Sequence, residues 1–345
     1  MLLTTLKNGK EIMPLAADEL SKNAMGGSEL MKYKLIERLP KELTDQFQIF
    51  VSRVQEKLDP DLIKIYWHQD LPDDPNSVEP LKNNGWKKFD LLVFNSEWQQ
   101  TAYQRAFGIP YWKSVVLCNA IEPIEQHEKP DAKENVNIIY HTTPHRGLEI
   151  LVPVFEKLAE EDKNITLDVY SSFNMYGWGE RDKMYKQLFD KCESHPQINY
   201  HGYQKNDVIR EALKKAHIYA YPSIWTESSC ISIMEAMSAR ALCVHSNLGA
   251  LYDTSGSITR MYQFDEDQSV HANRFAMILK ATIDDLRTND ISTELDFVKS
   301  YADIRFNWTR REREWIGVMK TLVDMKEKGL LKNREERLDR FVYRV

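Results

Sequence analysis

Cysteine is scarce and unpatterned: Cys118, Cys192, Cys230 and Cys243 are scattered, with no C-x-x-C pair and no zinc-like spacing. That excludes a disulfide framework or a zinc knuckle and fits reduced thiols in a cytosolic chain. No stretch approaches the ~20 apolar residues that span a bilayer. The opening residues, MLLTTLKNGKEIMPLAADEL, lack the apolar core of a secretory signal. A cytoplasmic protein is expected. Positive charge is not in excess either: the formal net charge is -6, so no global basic field attracts nucleic acid, and none is expected as a partner. Internal repeats and low-complexity tracts are absent.

What is present is the composition of a folded α/β protein, with 42% apolar and 11% aromatic residues over 345 positions, enough for two domains. Short apolar runs alternate with amphipathic helical stretches, the signature of parallel α/β architecture. Strands are expected at 46–52, 62–68, 90–96 and 114–119, then at 137–141, 165–171, 198–202, 218–223 and 241–246. Between the two series lies EPIEQHEKPDAKENV (122–136), with the Pro and charge content of an inter-domain linker. The expected domains are therefore 1–130, 131–315 and a helical tail, 316–345. The weak point is the first strand of the first domain, for which only MLLTT or EIMPLAA is available. Helices are expected at 27–39, 146–161, 206–216 and from about 305 to the end, with a break at Gly329.

The densest chemistry lies in YPSIWTESSCISIMEAMSARALCVHSNLGALYDT (221–254). It follows a strand, bends through Pro222 and is expected to open a helix near Ser228–Ser229. Glu227 would sit in the loop before the helix, with Glu235 about two turns inside it on the same side. The amides of Ser228, Ser229 and Cys230 would point outward unpaired, and a helix N-terminus with free amides suits a diphosphate. Ionised carboxylates are acceptors only, matched to sugar hydroxyls. A second strand–loop–helix segment, NIIYHTTPHRGLEILVPVFEKL (137–158), places Arg146 at a helix start, where a guanidinium can grip phosphate in bidentate fashion. His141 and Lys205 lie in strand-end loops of the same half. In the first half, Gly26–Gly27 precedes a helix and would let the backbone approach a ligand. His68 ends a strand in IYWHQDLPDDP (65–75). The carboxylates of Asp70, Asp73 and Asp74 there invite comparison with a metal-binding D-x-D site. Pro72 and Pro75 favour a rigid acidic loop, and no metal is expected.

The two glutamates with their flanks resemble the glutamate-x7-glutamate motif of retaining GT-B glycosyltransferases, especially glycosyltransferase family 4. The preceding YPS, the following EAMSARALCV and the later NLGALYD fit the same family, as do Arg146–Gly147, Gly26–Gly27 and FNSEWQQ (94–100). Arg146 takes the place of a lysine, His141 that of a common arginine, and Asn119–Ala120–Ile121–Glu122 lacks the glycine usual in its turn. The resemblance implies a GT-B fold: two Rossmann-like domains with parallel sheets facing a cleft, and a C-terminal helix crossing back to the N-terminal domain. It implies transfer of a hexose from a UDP-, GDP- or other nucleoside diphosphate sugar to a hydroxyl acceptor, carbohydrate or glycolipid, with retention. No cofactor and no metal is implied for the chemistry. Catalytic roles fall to Glu227 (sugar), Arg146 (diphosphate) and His68 (sugar or acceptor). Donor contacts fall to Glu235 (ribose), Ser228, Ser229, Cys230, His141, Lys205, Gly26 and Gly27. A non-catalytic sugar-nucleotide scaffold and a GT-B-fold epimerase or phosphorylase remain the alternatives. The C-terminal tail, rich in Lys and Arg with interleaved apolar residues, is compatible with peripheral membrane contact or with docking onto the first domain.

Overall fold

A computed structural model describes residues 4–5, 11–12 and 27–331 of the chain. Two-residue strands β1 (Thr4–Thr5) and β2 (Glu11–Ile12) pair antiparallel with each other. The described parts of MLLTT and EIMPLAA therefore do not supply the first parallel strand expected of them. Gly26 lies outside the described residues, and Gly27 opens helix α1 (Gly27–Arg38).

The N-terminal sheet comprises β3 (Phe47–Val51), β4 (Ile63–Trp67), β5 (Leu91–Phe94) and β6 (Ser114–Val116), parallel and in sequence order. The short helix α2 (Lys41–Thr44) leads into β3, and the connections between the strands carry the short α3 (Pro75–Val78) and the longer α4 (Glu97–Phe107). The strands read as apolar runs because both faces are covered. Ile63, Ile65, Trp67, Leu91 and Val93 face one core, while Tyr66, Leu92 and Phe94 face the other, the period-2 alternation of a pleated strand.

The C-terminal sheet comprises β7 (Val136–Tyr140), β8 (Ile165–Val169), β9 (Ile198–Tyr200), β10 (Ile218–Tyr221), β11 (Leu242–Ser246) and β12 (Arg260–Tyr262). Its order is β12-β11-β10-β7-β8-β9, all parallel. Helices α5 (Leu148–Glu161), α6 (Lys186–Ser194), α7 (Asn206–Lys215), α8 (Ile231–Ser238), α9 (Leu251–Ser255) and α10 (Gln268–Thr288) connect or flank these strands. The chain runs outward from β7 through β8 to β9, then returns to β10 on the opposite side. The order thus reverses between β7 and β10, and a crevice at such a switch point is where ligands bind in open parallel sheets.

Helix α11 (Ser292–Arg305) packs on α8, and α12 (Trp308–Glu327) crosses to the N-terminal domain. The crossing is fixed by backbone pairing. Ile121 donates its amide to the Phe306 carbonyl at 2.7 Å, and Trp308 donates to the Ile121 carbonyl at 3.3 Å. Trp308, Trp315, Met319 and Leu322 then sink into the core beneath β4 and β5. Trp315 meets Trp67 edge-on at 5.0 Å, an aromatic pair worth ~0.5–1.5 kcal/mol beyond its buried area. The apolar face of α12 is packed inside the molecule, and residues 332–345 of the expected tail lie outside the described residues. Gly329 takes φ +65 in the turn after α12. No helix among the described residues is long and apolar enough to cross a membrane.

Candidate active site

The loops after β7 and β10, on either side of the switch point, lie against each other because Gly147 has no side chain. A Cβ there would stand 2.2 Å from the Pro222 carbonyl oxygen, and its φ of +128 already disfavours other residues. This contact sets Arg146, one residue earlier, beside Glu227. The Glu227 loop is pinned from its other side by Gly249 (φ +63), where a Cβ would meet the Glu227 carbonyl oxygen at 2.6 Å. The Ala250 amide donates to that carbonyl at 2.7 Å.

The result is a nearly enclosed cluster. Arg146 Nη1 and the Tyr221 hydroxyl both donate to Glu227 Oε1, leaving Oε2 without a partner among the described residues. The side chains of Arg146 and Glu227 are 20% and 7% exposed, so this ion pair is screened far less than a surface pair. Burial works against the Arg146 charge, but Glu227, Tyr176 and Tyr221 together outweigh it and the guanidinium pKa rises well above its ordinary value. Arg146 Nε is buried with no partner among the described residues, and the guanidinium stands 5.8 Å from the Trp225 ring centre.

Glu235 is buried, and it lies less far along its helix than the sequence spacing implied. Cys230 is the N-cap of α8, which begins at Ile231 rather than near Ser228, so Glu235 is just over one turn in, not two. Asn206 Nδ2 donates to both its oxygens, at 3.2 and 3.1 Å, and Arg210 Nη1 donates to Oε1 at 3.1 Å. Burial raises its pKa, opposed by Arg210, by the Asn206 hydrogen bond and by Lys34 of α1. Lys34 therefore brings the first helix of the N-terminal domain into the field of this site.

The other expected residues divide. Ser228 and Ser229 lie in the loop beside Glu227, and the Ser229 hydroxyl is buried without a partner. The Cys230 amide, expected to be free, has the Thr254 hydroxyl at 3.5 Å, and burial pushes the Cys230 thiol up to about 12, which removes it as a nucleophile. His141 sits at the end of β7, tilted against Tyr219 at 4.7 Å, with Nε2 buried and unpartnered. Burial lowers its pKa to about 3, so it is neutral at physiological pH and adds no second cation beside Arg146. Lys205 is exposed at the N-cap of α7, one residue before Asn206.

His68 is not brought to this cluster. It is fully buried between Tyr66, Phe94 and Tyr103, at ring-centre distances of 4.0, 5.0 and 4.4 Å, with both ring nitrogens unpartnered. The acidic loop after it is occupied with its own backbone and hydroxyls. Asp70 accepts from Ser77 Oγ at 2.9 Å, and Asp74 accepts from the Asn76 and Ser77 amides at 3.0 Å. Among the described residues no group of three or more His, Cys, Asp or Glu side chains is arranged to hold a metal ion.

Tyr221, Arg210 and Lys34 were not singled out from the sequence. Arg210 was readable in principle, because it is four residues after Asn206 and so shares its helix face.

Residues 121–257, which contain every side chain of this cluster except Lys34, match the family model described as "Glycosyl transferases group 1". Over that segment the chain is similar to group 1 glycosyl transferases. Solved structures resemble most of the chain, beyond that segment. A glycosyltransferase from Rickettsia africae ESF-5 superposes with a TM-score of 0.63 at 14% identity, over 88% of this chain and 84% of that one. Anabaena Alr3699/HepE, solved in complex with UDP-glucose, gives a TM-score of 0.58 at 17% identity, over 75% of this chain and 72% of that one. At these identities the likeness shows a GT-B-like fold. No curated protein sequence matches the chain significantly.

Proposed function

We propose that this protein is a retaining glycosyltransferase that moves a hexose from a nucleoside diphosphate sugar to a hydroxyl acceptor such as a glycan, lipid or small molecule. The observation that carries the proposal is the enclosed Arg146–Glu227–Tyr221 cluster at the β7/β10 switch point, with Glu235 beneath it on the same helix start. An anionic diphosphate finds a permanent cation in Arg146 and loop amides at Ser228 and Ser229. The free Oε2 of Glu227 accepts a hydrogen bond from a sugar hydroxyl, while Oε1 stays held by Arg146 and Tyr221. Glu235 takes the ribose in this reading, and its fixing by Asn206 and Arg210 supports that role.

In the reaction the anomeric C–O bond to the diphosphate breaks and the acceptor oxygen bonds to the same face. The acceptor proton passes to the departing phosphate oxygen. The protein's part is to stabilise the leaving charge and hold the partners in place. With His141 neutral and buried, that charge falls on Arg146, and His68 takes no direct part.

The test is a thermal-shift screen against UDP-, GDP-, ADP- and dTDP-sugars with and without magnesium, starting from UDP-glucose because the Anabaena relative holds it. A bound nucleotide raises apparent stability by mass action, so ~10 μM affinity is visible at millimolar ligand. The expected result is a shift with one base that Glu235→Ala abolishes, followed by labelled-sugar transfer that Glu227→Ala abolishes. Absence of any shift, or full transfer by Glu227→Ala, overturns the proposal.

A further inference from the structure

Helix α4 opens towards the C-terminal domain, and its first amides find their partners there. A helix leaves its first N–H groups without intrahelical acceptors. The third amide of α4, Gln99, donates to its own cap, Ser96 Oγ, at 3.0 Å. The first two, Glu97 and Trp98, donate at 2.7 and 3.2 Å to Asp253 Oδ2, a carboxylate of α9 in the other domain. The Asp253 side chain is only 11% exposed, and its other oxygen stands 3.8 Å from Arg305 Nη2. A carboxylate at a helix N-terminus is favoured by the helix dipole, and here the helix and the carboxylate belong to different domains.

Asp253 is also close in the backbone to the sugar-side glutamate. It lies three residues after Ala250, whose amide holds the Glu227 carbonyl. A second tie grips the next residue: Ser96 Oγ donates to the Ser228 carbonyl at 2.6 Å, and Ser228 Oγ donates to the Gln69 carbonyl at 2.9 Å. The two peptide units that follow Glu227 are therefore anchored, directly or through α9, to the N-terminal domain.

We propose that Asp253 is a positioning residue, which clasps the N-terminus of α4 and through α9 and Ser228 sets the Glu227 loop only when the two domains are together. It touches neither donor nor acceptor. Its consequence for catalysis rests on the glycosyltransferase reading, and the clasp itself does not. With the clasp made, Glu227 is held for transfer and water is kept from the donor; without it the donor still binds Arg146 and Glu235, but turnover suffers.

The test compares the full-length protein with Asp253→Ala and Asp253→Asn by amide hydrogen exchange and by steady-state transfer. First-turn helix amides normally exchange freely, so protection of Glu97 and Trp98 in the wild type is expected from Asp253 alone. In Asp253→Ala these two amides exchange about tenfold faster, the scale of losing charge-assisted hydrogen bonds. The kcat for transfer falls by about tenfold, donor KM changes by less than about threefold, and a larger share of donor is hydrolysed. Asp253→Asn keeps an acceptor oxygen and falls between. Unprotected Glu97 and Trp98 in the wild type overturn the clasp. A lower melting temperature in Asp253→Ala with kcat and hydrolysis share unchanged overturns the positioning role. Normal exchange behaviour in a protein that transfers no sugar leaves the clasp standing and removes the enzyme reading instead.

Discussion

The two domains bring different kinds of group to the cleft. The C-terminal domain contributes charge: Arg146 and Glu227 from the loops after β7 and β10, and Glu235 with Arg210 behind them. The N-terminal domain contributes mostly neutral groups, with Lys34 of α1 as the cation that reaches the field of Glu235. The Asn95, Gln69 and Asn119 amides form a buried chain at 3.1 Å spacings, Ser96 reaches Ser228, and the open end of α4 receives Asp253. Its one expected catalytic side chain, His68, is sealed among aromatic rings. The difference has a physical source. A switch point needs a chain that reverses its direction of strand addition, and only the β12-β11-β10-β7-β8-β9 sheet has one among the described residues; the β3-β4-β5-β6 sheet adds strands one way. Electrostatic work concentrates where the crevice is, and the other domain supplies shape and closure.

The sharpest way to break this contrast is to remove charge on one side and the histidine on the other. Arg146→Ala is expected to lower transfer by ~10²–10³-fold, the usual cost of deleting one group that stabilises developing charge. It also leaves Glu227 buried without its cation, a penalty of ~3–5 kcal/mol that a thermal melt will register. A variant with unchanged turnover would show that the charge of the C-terminal cluster is not used. Next in size is the support beneath the site. Arg210→Ala strips Glu235 of its cation, and nucleotide affinity measured by calorimetry should weaken by about tenfold, a charged hydrogen bond being worth ~1.5–3 kcal/mol. Equal affinity would place the ribose elsewhere.

A pair of glycines separates backbone strain from site geometry. Gly108 and Gly249 share φ +63, but a Cβ on Gly108 meets nothing within 4 Å, whereas one on Gly249 meets Glu227 backbone at 2.6 and 2.8 Å. Gly108→Ala in the N-terminal domain should cost ~1 kcal/mol, the ordinary price of left-handed backbone. Gly249→Ala should cost ~1–3 kcal/mol more and displace the Glu227 loop. Denaturant unfolding of both variants, with nucleotide binding alongside, checks this. Equal losses would mean that the loop yields without effect.

The contrast between the domains also explains what could be read from the sequence. Strands β10 and β11 are buried along their whole length and β7 at all but Asn137, so they read as mostly apolar runs, and the Glu227–Glu235 spacing sits between β10 and β11. The helix crossing back was expected only from the family resemblance; its physical basis is the apolar stripe of Trp308, Trp315, Met319 and Leu322 on a charged helix. What escaped depends on approach in three dimensions. Tyr221 and Arg210 reach the glutamates only after β10 and α7 are stacked, and the delayed start of α8 follows from Glu227 being bridged to Gly249. His68 misled for the opposite reason: a strand-end histidine looks poised for a cleft, and nothing local announces that Tyr66, Phe94 and Tyr103 will enclose it.

That enclosure predicts the smallest effect at neutral pH and a distinct one in acid. Burial lowers the pKa of His68 to about 3, against 6.5 for the free side chain. Above pH ~6.5 the ring is neutral whether folded or unfolded, so its contribution to stability is complete there. As pH falls from about 6.5 towards 3 the unfolded chain takes up a proton that the folded one refuses. Stability then drops by ~1.4 kcal/mol per pH unit for each such histidine. His141 and His145, also lowered to about 3, and His245, lowered to about 4, behave alike, so the acid limb is steep and shared. His68→Phe fits an aromatic cage and removes two unpartnered buried nitrogens, so stability at pH 7 should change by no more than ~1 kcal/mol. Its loss of stability in acid should be shallower by the contribution of one histidine, seen in urea midpoints between pH 4 and 7, and transfer should stay within about threefold of wild type. If His68→Phe instead abolished transfer while keeping its fold, the ring would have to reach the substrate in a state that opens the cage. The N-terminal domain would then carry chemistry as well as shape.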